Sequence, residues 1–200
     1  AELYGGGWYP GDVRFRDIDG DGKISYGKNT VNDPGDRKII GNSEPRYAYG
    51  IKAGAEWKGF DLSVFFQGIG KRDVVLGGNQ FWGFGNEWHV PFKHSLDCWT
   101  ENNRDAYFPR PTYENVTGNR VTSDRYLQDA SYLRLKNLTL GYTLPHHLTT
   151  KWSIDKVRIY FSGQNLLTFD HLFDIYDPET LSLSRYPLQK AFSFGVNITL

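Results

Sequence analysis

The chain carries no excess charge of either sign, with 23 Lys and Arg against 23 Asp and Glu, so composition gives no sign of a nucleic-acid partner. No window approaches the roughly 18 consecutive apolar residues of a membrane-spanning helix. Mean hydropathy is −0.54, a value that leaves barrel strands open, because their apolar and polar positions average out. Cys98 is the one cysteine, so no internal disulfide forms and the compartment is unmarked. The opening AELYGGGWYP has neither a basic n-region nor an apolar h-region. Either the protein is not exported, or this is not its original N-terminus.

Catalytic constellations are missing as well. There is no G-x-S-x-G and no Cys–His pair on a defined scaffold. His94 and Cys98 lack a helix that would present them to zinc. The loop acids Asp97, Glu101 and Asp105 have nothing to set them at the spacing of a glycosidase pair. An enzyme is not expected.

What is present is alternation. In Ala191–Leu200 the residues Phe192, Phe194, Val196, Ile198 and Leu200 alternate with Ala191, Ser193, Gly195, Asn197 and Thr199, which puts one set on each face of a strand. The same period marks 47–57, 60–68 and 156–169. Segment 131–144 is imperfect: Leu133 and Leu135 have the opposite parity to Leu138, Leu140, Tyr142 and Leu144, and a bulge near Lys136-Asn137 would reconcile them, as would a strand that leaves a membrane above that point. No segment shows a 3.6-residue apolar period, so an all-β fold of about five strands is expected. Asn137 and Asn197 fall within strands and are read as polar-face positions.

Connections alternate between short (Lys58-Gly59 and 145–155) and long (69–125 and 170–189). Outer-membrane barrels have short periplasmic turns and long outer loops. A periplasmic C-terminus sends every short turn inward and sets Trp57 and Phe60 in an aromatic belt. The competing reading is a secreted, calcium-stabilised β-sandwich that binds carbohydrate. Five strands cannot close a barrel, whose smallest versions have about eight.

Two loop features could carry function. In Asp17-Ile18-Asp19-Gly20-Asp21-Gly22-Lys23-Ile24-Ser25 the carboxylates of Asp17, Asp19 and Asp21 can converge on one hard cation. Gly22 permits the sharp turn, Lys23 offers its carbonyl, and Ile24 anchors the loop. Position 12 is Lys28 rather than Glu, so this is a DxDGDG calcium loop outside the EF-hand, closed by Asp33 or Asp36. The second feature is the aromatic set of the 69–125 loop, in a chain that is 16% aromatic. There Trp82, Trp88 and Trp99, with Phe81, Phe84, Phe92, Tyr107 and Phe108, could stack on sugars, and Asn79, Gln80, Asn86 and Glu87 could bind hydroxyls. The same rings could equally pack the loop on itself.

Taken in order, GDVRFRDIDGDGKI, NDPGDRKIIGNSEPRYAYGI, YLRLKNLTLGYTLP, VRIYFSGQNLLTF and FSFGVNITL resemble the SusC/RagA family of TonB-dependent outer-membrane transporters of Bacteroidetes. The resemblance implies a barrel of about 22 strands with an N-terminal plug. Residues 46–200 would be its C-terminal strands, and 1–45 an extracellular loop bearing the calcium-like motif. It further implies surrounding outer-membrane lipid, a SusD-like lipoprotein lid and TonB acting through the plug. The ligand would be a glycan or a peptide, with a slight leaning towards glycan. Lumen-facing Lys52, Glu56, Asp61 and Arg158 would be candidates for wall or plug contacts.

Overall fold

A computed structural model describes residues 2–3, 9–84, 88–112, 118–182, 185–186 and 188–200. Its strands are β1 (Glu2–Leu3), β2 (Lys23–Ile24), β3 (Arg46–Trp57), β4 (Phe60–Lys71), β5 (Asp73–Val75), β6 (Leu127–Asp129), β7 (Tyr132–Thr143), β8 (Lys156–Asp170) and β9 (Ala191–Thr199). The principal sheet has five strands in the order β3-β4-β7-β8-β9, with every neighbour antiparallel. The other two sheets have two strands each, β1 with β2 and β5 with β6. Strand β4 runs on to Lys71, beyond the Gly68 that the alternation alone suggests.

The register explains the alternation. Trp57, Ala55, Ala53 and Ile51 lie opposite Phe60, Leu62, Val64 and Phe66. Those four in turn lie opposite Tyr142, Leu140, Leu138 and Leu135. The face continues through Ile159 and Phe161 of β8 to Val196 and Phe194 of β9. The bulge expected in β7 is present: Phe65 pairs with Asn137 and Phe66 with Leu135, so Lys136 is the extra residue. On its other side Leu135 pairs with Leu167 and Asn137 with Gln164, leaving Asn165 and Leu166 opposite Lys136. One additional residue restores Leu133 and Leu135 to the apolar face.

That face is bare. Phe194 is 82% and Ile51 55% exposed, and Ile159, Val196 and Ile198 are similarly open. A β-sandwich would cover such a surface with a second sheet, and the remaining sheets among the described residues are two-stranded. A contiguous apolar band of this extent is what lipid requires.

The ends of the sheet differ. Trp57–Phe60, Thr143–Arg158 and Lys156–Thr199 are the terminal pairs at one end, where the connections are short. Lys58 (φ 47°) and Gly59 (φ 88°) both take positive φ, as a two-residue type I′ turn demands. Phe60 and Tyr142 pack there with ring centroids 4.5 Å apart, and the Lys58 ammonium sits 4.9 Å from the Trp57 ring. At the other end the chain leaves after Lys71 and returns at Tyr132.

Contacts group the chain into two compact units, 42–74 with 128–200, and 1–41 with 75–127. The first is the sheet and its loop. The second has its own core of Ile24, Leu76, Phe81, Ala106, Phe108 and Tyr126, each at most 5% exposed. Asp12 stitches this unit. Its carboxylate accepts from Arg110 Nε (2.7 Å), Asn119 Nδ2 (2.9 Å) and Tyr9 N–H (2.9 Å), while Asn119 Oδ1 accepts from Val13 N–H (2.7 Å).

Deleting Lys136 should turn Leu133 and Leu135 towards the polar face while the rest of β7 keeps its place. The expected result is loss of the folded, heat-modifiable band of the full-length protein. Deleting an exposed residue such as Lys28 should leave that band intact.

Candidate functional site

Three places merit a functional reading. The first is the acidic loop. Asp17, Asp19 and Asp21 each present a carboxylate oxygen within 4.8 Å of the others. Asp17 is positioned by N–H groups of its own loop, from Gly20 (2.6 Å) and Gly22 (2.8 Å). Asp19 accepts from Asp21 N–H (3.1 Å), and Asp21 from Lys23 N–H (2.7 Å). Gly22 has φ 82° with open space around it, a left-handed geometry that a side chain would resist. Ile24 is 2% exposed and anchors the loop as expected. Lys23 opens β2, the strand that pairs with Glu2–Leu3.

Asp36 stands outside that convergence of three carboxylates. Its Oδ1 accepts from Ile18 N–H (2.6 Å) and its Oδ2 from Ser25 N–H (2.7 Å), so it clamps both ends of the loop. Asp33 turns instead to Lys28, at 3.9 Å. Desolvation is the largest influence on the Asp36 carboxyl and pushes it up. The N–H donors of Ile18, Ser25 and Asp19 together outweigh that and hold it below the ordinary carboxylate value. Asp19 moves the other way. The Asp21 N–H lowers it, but desolvation and the like charges of Asp21, Asp36 and Asp17 carry it above the ordinary value. Crowded carboxylates of this kind are relieved by a cation.

The second place is the aromatic loop, whose rings divide. Trp82 packs edge-on against Phe81 (5.1 Å), Tyr126 (4.8 Å) and Phe108 (6.2 Å), with the Arg120 guanidinium 5.9 Å from its ring. It is half-buried within its unit. Trp99 is half-buried, and a methyl group added at Gly11 would come within 2.5 Å of its ring. Trp88 is 83% exposed. Asn86 and Glu87 lie outside the described residues.

The third place is the polar face of the sheet, where sequence reasoning found only part of what is there. Asp61 and Arg158, expected separately as wall contacts, form a two-point ion pair with Nε–Oδ1 at 2.8 Å. A side chain at Gly141 would collide with both. Lys52 and Glu56 lie on the exposed strand β3. Missed altogether was a clasp between β7 and the segment after β8. Arg134, 3% exposed, donates to Asp177, to Glu179 (2.8 Å) and to Thr168 Oγ1 (2.9 Å). Lys136, the bulged residue, reaches Glu179 at 3.0 Å. The long sequence separation of these partners leaves no local signal.

The pH response of the Asp36 clamp has a definite sign. A folded carboxyl held low contributes stability at pH above its unfolded value and loses it as the pH falls through the folded one. Amide protection at Ile18 and Ser25 should therefore fall on acidification through and below the ordinary carboxylate range. Asp36→Asn should remove that dependence in hydrogen exchange, whereas an unchanged profile would mean that Asp36 is not the clamp.

No protein-family model matches the chain. Curated relatives do. TonB-dependent receptor P3 of Formosa agariphila is 33% identical over 94% of this chain and 19% of its own length. TonB-dependent receptor P26 of the same organism is 27% identical over 94% of this chain and 20% of its own length. Among solved structures, the RagAB peptide transporter superposes with a TM-score of 0.60 at 29% identity, over 80% of this chain and 18% of that one. The RagAB importer in its open-open state gives 0.61 at 29% identity, over 82% and 18%. The chain thus spans about a fifth of the length of the curated relatives it matches. Along that span its sequence is similar to that of TonB-dependent receptors, and its antiparallel barrel strands superpose on those of the RagAB peptide transporter.

Proposed function

We propose that these residues form the C-terminal barrel portion of a TonB-dependent importer that takes up peptides or oligosaccharides with a SusD-like surface lipoprotein. The observation that carries this reading is the two-faced sheet. One side is a continuous apolar surface and the other is polar and ion-paired, which suits lipid outside and a lumen inside. On this reading the Lys58-Gly59 turn, the 144–155 connection and Leu200 face the periplasm. Segments 72–131 and 171–190 face outward, towards the lipoprotein.

Transport here is binding and gating without covalent chemistry. Ligand is held on the outer side, and TonB draws on a plug supplied by other parts of the receptor to open the path. The name of the RagAB structures favours peptides. The inward packing of Trp82 and the backbone lying on Trp99 weaken the aromatic argument for sugars. Trp88 keeps oligosaccharides as the second choice.

Calcium at the acidic loop is part of the same proposal. Asp17, Asp19 and Asp21 supply hard oxygens, with the Lys23 carbonyl as a neutral ligand. Asp36 would hold the loop from behind. The ion would stiffen this surface segment and take no part in the transport step.

Two measurements test these statements. An antibody to the C-terminal strand should detect, in outer-membrane fractions, a detergent-requiring protein several times heavier than 23.0 kDa. A 23.0 kDa species that stays soluble without detergent would falsify the importer reading. For calcium, the full-length receptor should show terbium luminescence that calcium displaces, with affinity reduced at least about tenfold in Asp17→Ala. Equal affinity in the variant would remove the site.

A further inference from the structure

Strand β8 ends at Asp170 and β9 begins at Ala191. A connection of that length has room to stand clear of the sheet, yet part of it turns back onto the polar face. The register identifies the face. Arg134 pairs with Gln67 on one side and Thr168 on the other, so it shares the face of Asp61, Ser63 and Phe65, opposite to that of Phe66 and Leu135.

The depth is defined as well. Tyr132–Asp170 is the outermost pair of β7 and β8, and Arg134–Thr168 lies two residues further in, about 7 Å at the rise of a strand. Arg134 Nε donates to Thr168 Oγ1 at 2.9 Å, which keeps the guanidinium level with its own pair. Asp177 and Glu179 therefore come down to it from beyond the strand ends, Glu179 to 2.8 Å. Lys136 Nζ donates to both oxygens of Glu179, at 3.1 and 3.0 Å.

The returning segment is built to hold this shape. Asp177 Oδ1 accepts from the N–H groups of Glu179 (2.9 Å) and Thr180 (3.4 Å), and Leu181 N–H donates to the Asp177 carbonyl at 2.8 Å. The other carboxylate oxygen is left for Arg134. Pro178, between the two acids, is buried, and its ring restricts the turn. Nearer β8, Leu172 is 7% exposed, and Phe173 N–H donates to Gln128 Oε1 at 2.8 Å. Two cations meet two carboxylates in the clasp, and Arg134 is 3% exposed, so solvent ions screen the fastening little.

On the importer reading the polar face bounds the lumen. A segment lying on that face below the strand ends stands in the path of the cargo. We infer that 171–182 is a size-selecting strap, latched by Arg134 and Lys136, which narrows the outer part of the lumen along this wall. Short cargo passes beside it, and long cargo passes when the latch opens. The inference rests on the importer reading and adds a determinant of cargo size.

The test uses cells expressing the full-length receptor. They are offered fluorescent Gly/Ser peptides of four and twelve residues, and glucose oligomers of the same two lengths. Whichever class enters native cells supplies the ratio of long to short uptake. That ratio should rise at least about fivefold in Asp177→Asn/Glu179→Gln, and by less in Lys136→Gln, where Arg134 keeps both acids. Hydrogen exchange of the purified receptor reports release: the Phe173 and Leu181 amides should lose protection at least about tenfold in the double variant, while Leu138 and Leu140 keep theirs. Unchanged protection at Phe173 and Leu181 overturns the latch. Lost protection with an unchanged ratio overturns size selection and leaves import standing. If the double variant loosens the wall as well, Lys136→Gln decides, and an unchanged ratio there overturns the inference. If no oligomer of either class enters native cells, the importer reading itself fails.

Discussion

Everything in the sheet depends on keeping one face apolar across five strands while the backbone ladder stays paired. In hydrocarbon an unpaired N–H or carbonyl costs several kcal/mol, so the strands cannot trade register for side-chain comfort. The Lys136 bulge confines the conflict between them to one place. It lets Leu133 and Leu135 rejoin the apolar face, with the register of β7 shifting only between Leu135 and Asn137. It also delivers a cation to Glu179, beside the carboxylates that neutralise Arg134. A break in the pattern thus becomes the anchor point for the segment that follows β8.

Much of this was legible from the residues. Alternation in 47–57, 60–68 and 191–200, strict in the last of these, marked the strands and their faces, because the side-chain period of a strand is two. The parity change in β7 even located the bulge. Turn chemistry at Lys58-Gly59 was equally plain, since two positive φ values in succession are a narrow demand. The carboxylate spacing of the acidic loop also translated directly, and Asp17, Asp19 and Asp21 do come together.

What could not be read was every contact between distant parts. Arg134 reads as one more polar-face residue until Asp177 and Glu179 fold back onto it. The Asp12–Arg110–Asn119 stitch joins segments with no shared pattern. The aromatic loop shows the same limit, because Trp82 and Trp88 look alike in sequence and differ completely in surroundings. Composition counts rings and says nothing about which of them are already covered.

The joining of β4 to β7 has a consequence for the order of assembly. Hairpins β3–β4, β7–β8 and β8–β9 link neighbours along the chain, whereas β4 and β7 are separated by the whole insertion. Closing a long flexible segment is entropically unfavourable, although each doubling in length adds only about 0.6 kcal/mol. Here the ends are also held together outside the main sheet: Asp73–Val75 pairs with Leu127–Asp129, and Ala130 N–H donates to the Arg72 carbonyl at 2.7 Å. To the strands it connects, a structured insertion behaves as a tight turn. This topology implies that the insertion can grow or shrink over evolutionary time with little effect on how fast the wall zips shut, provided those few residues at its neck remain.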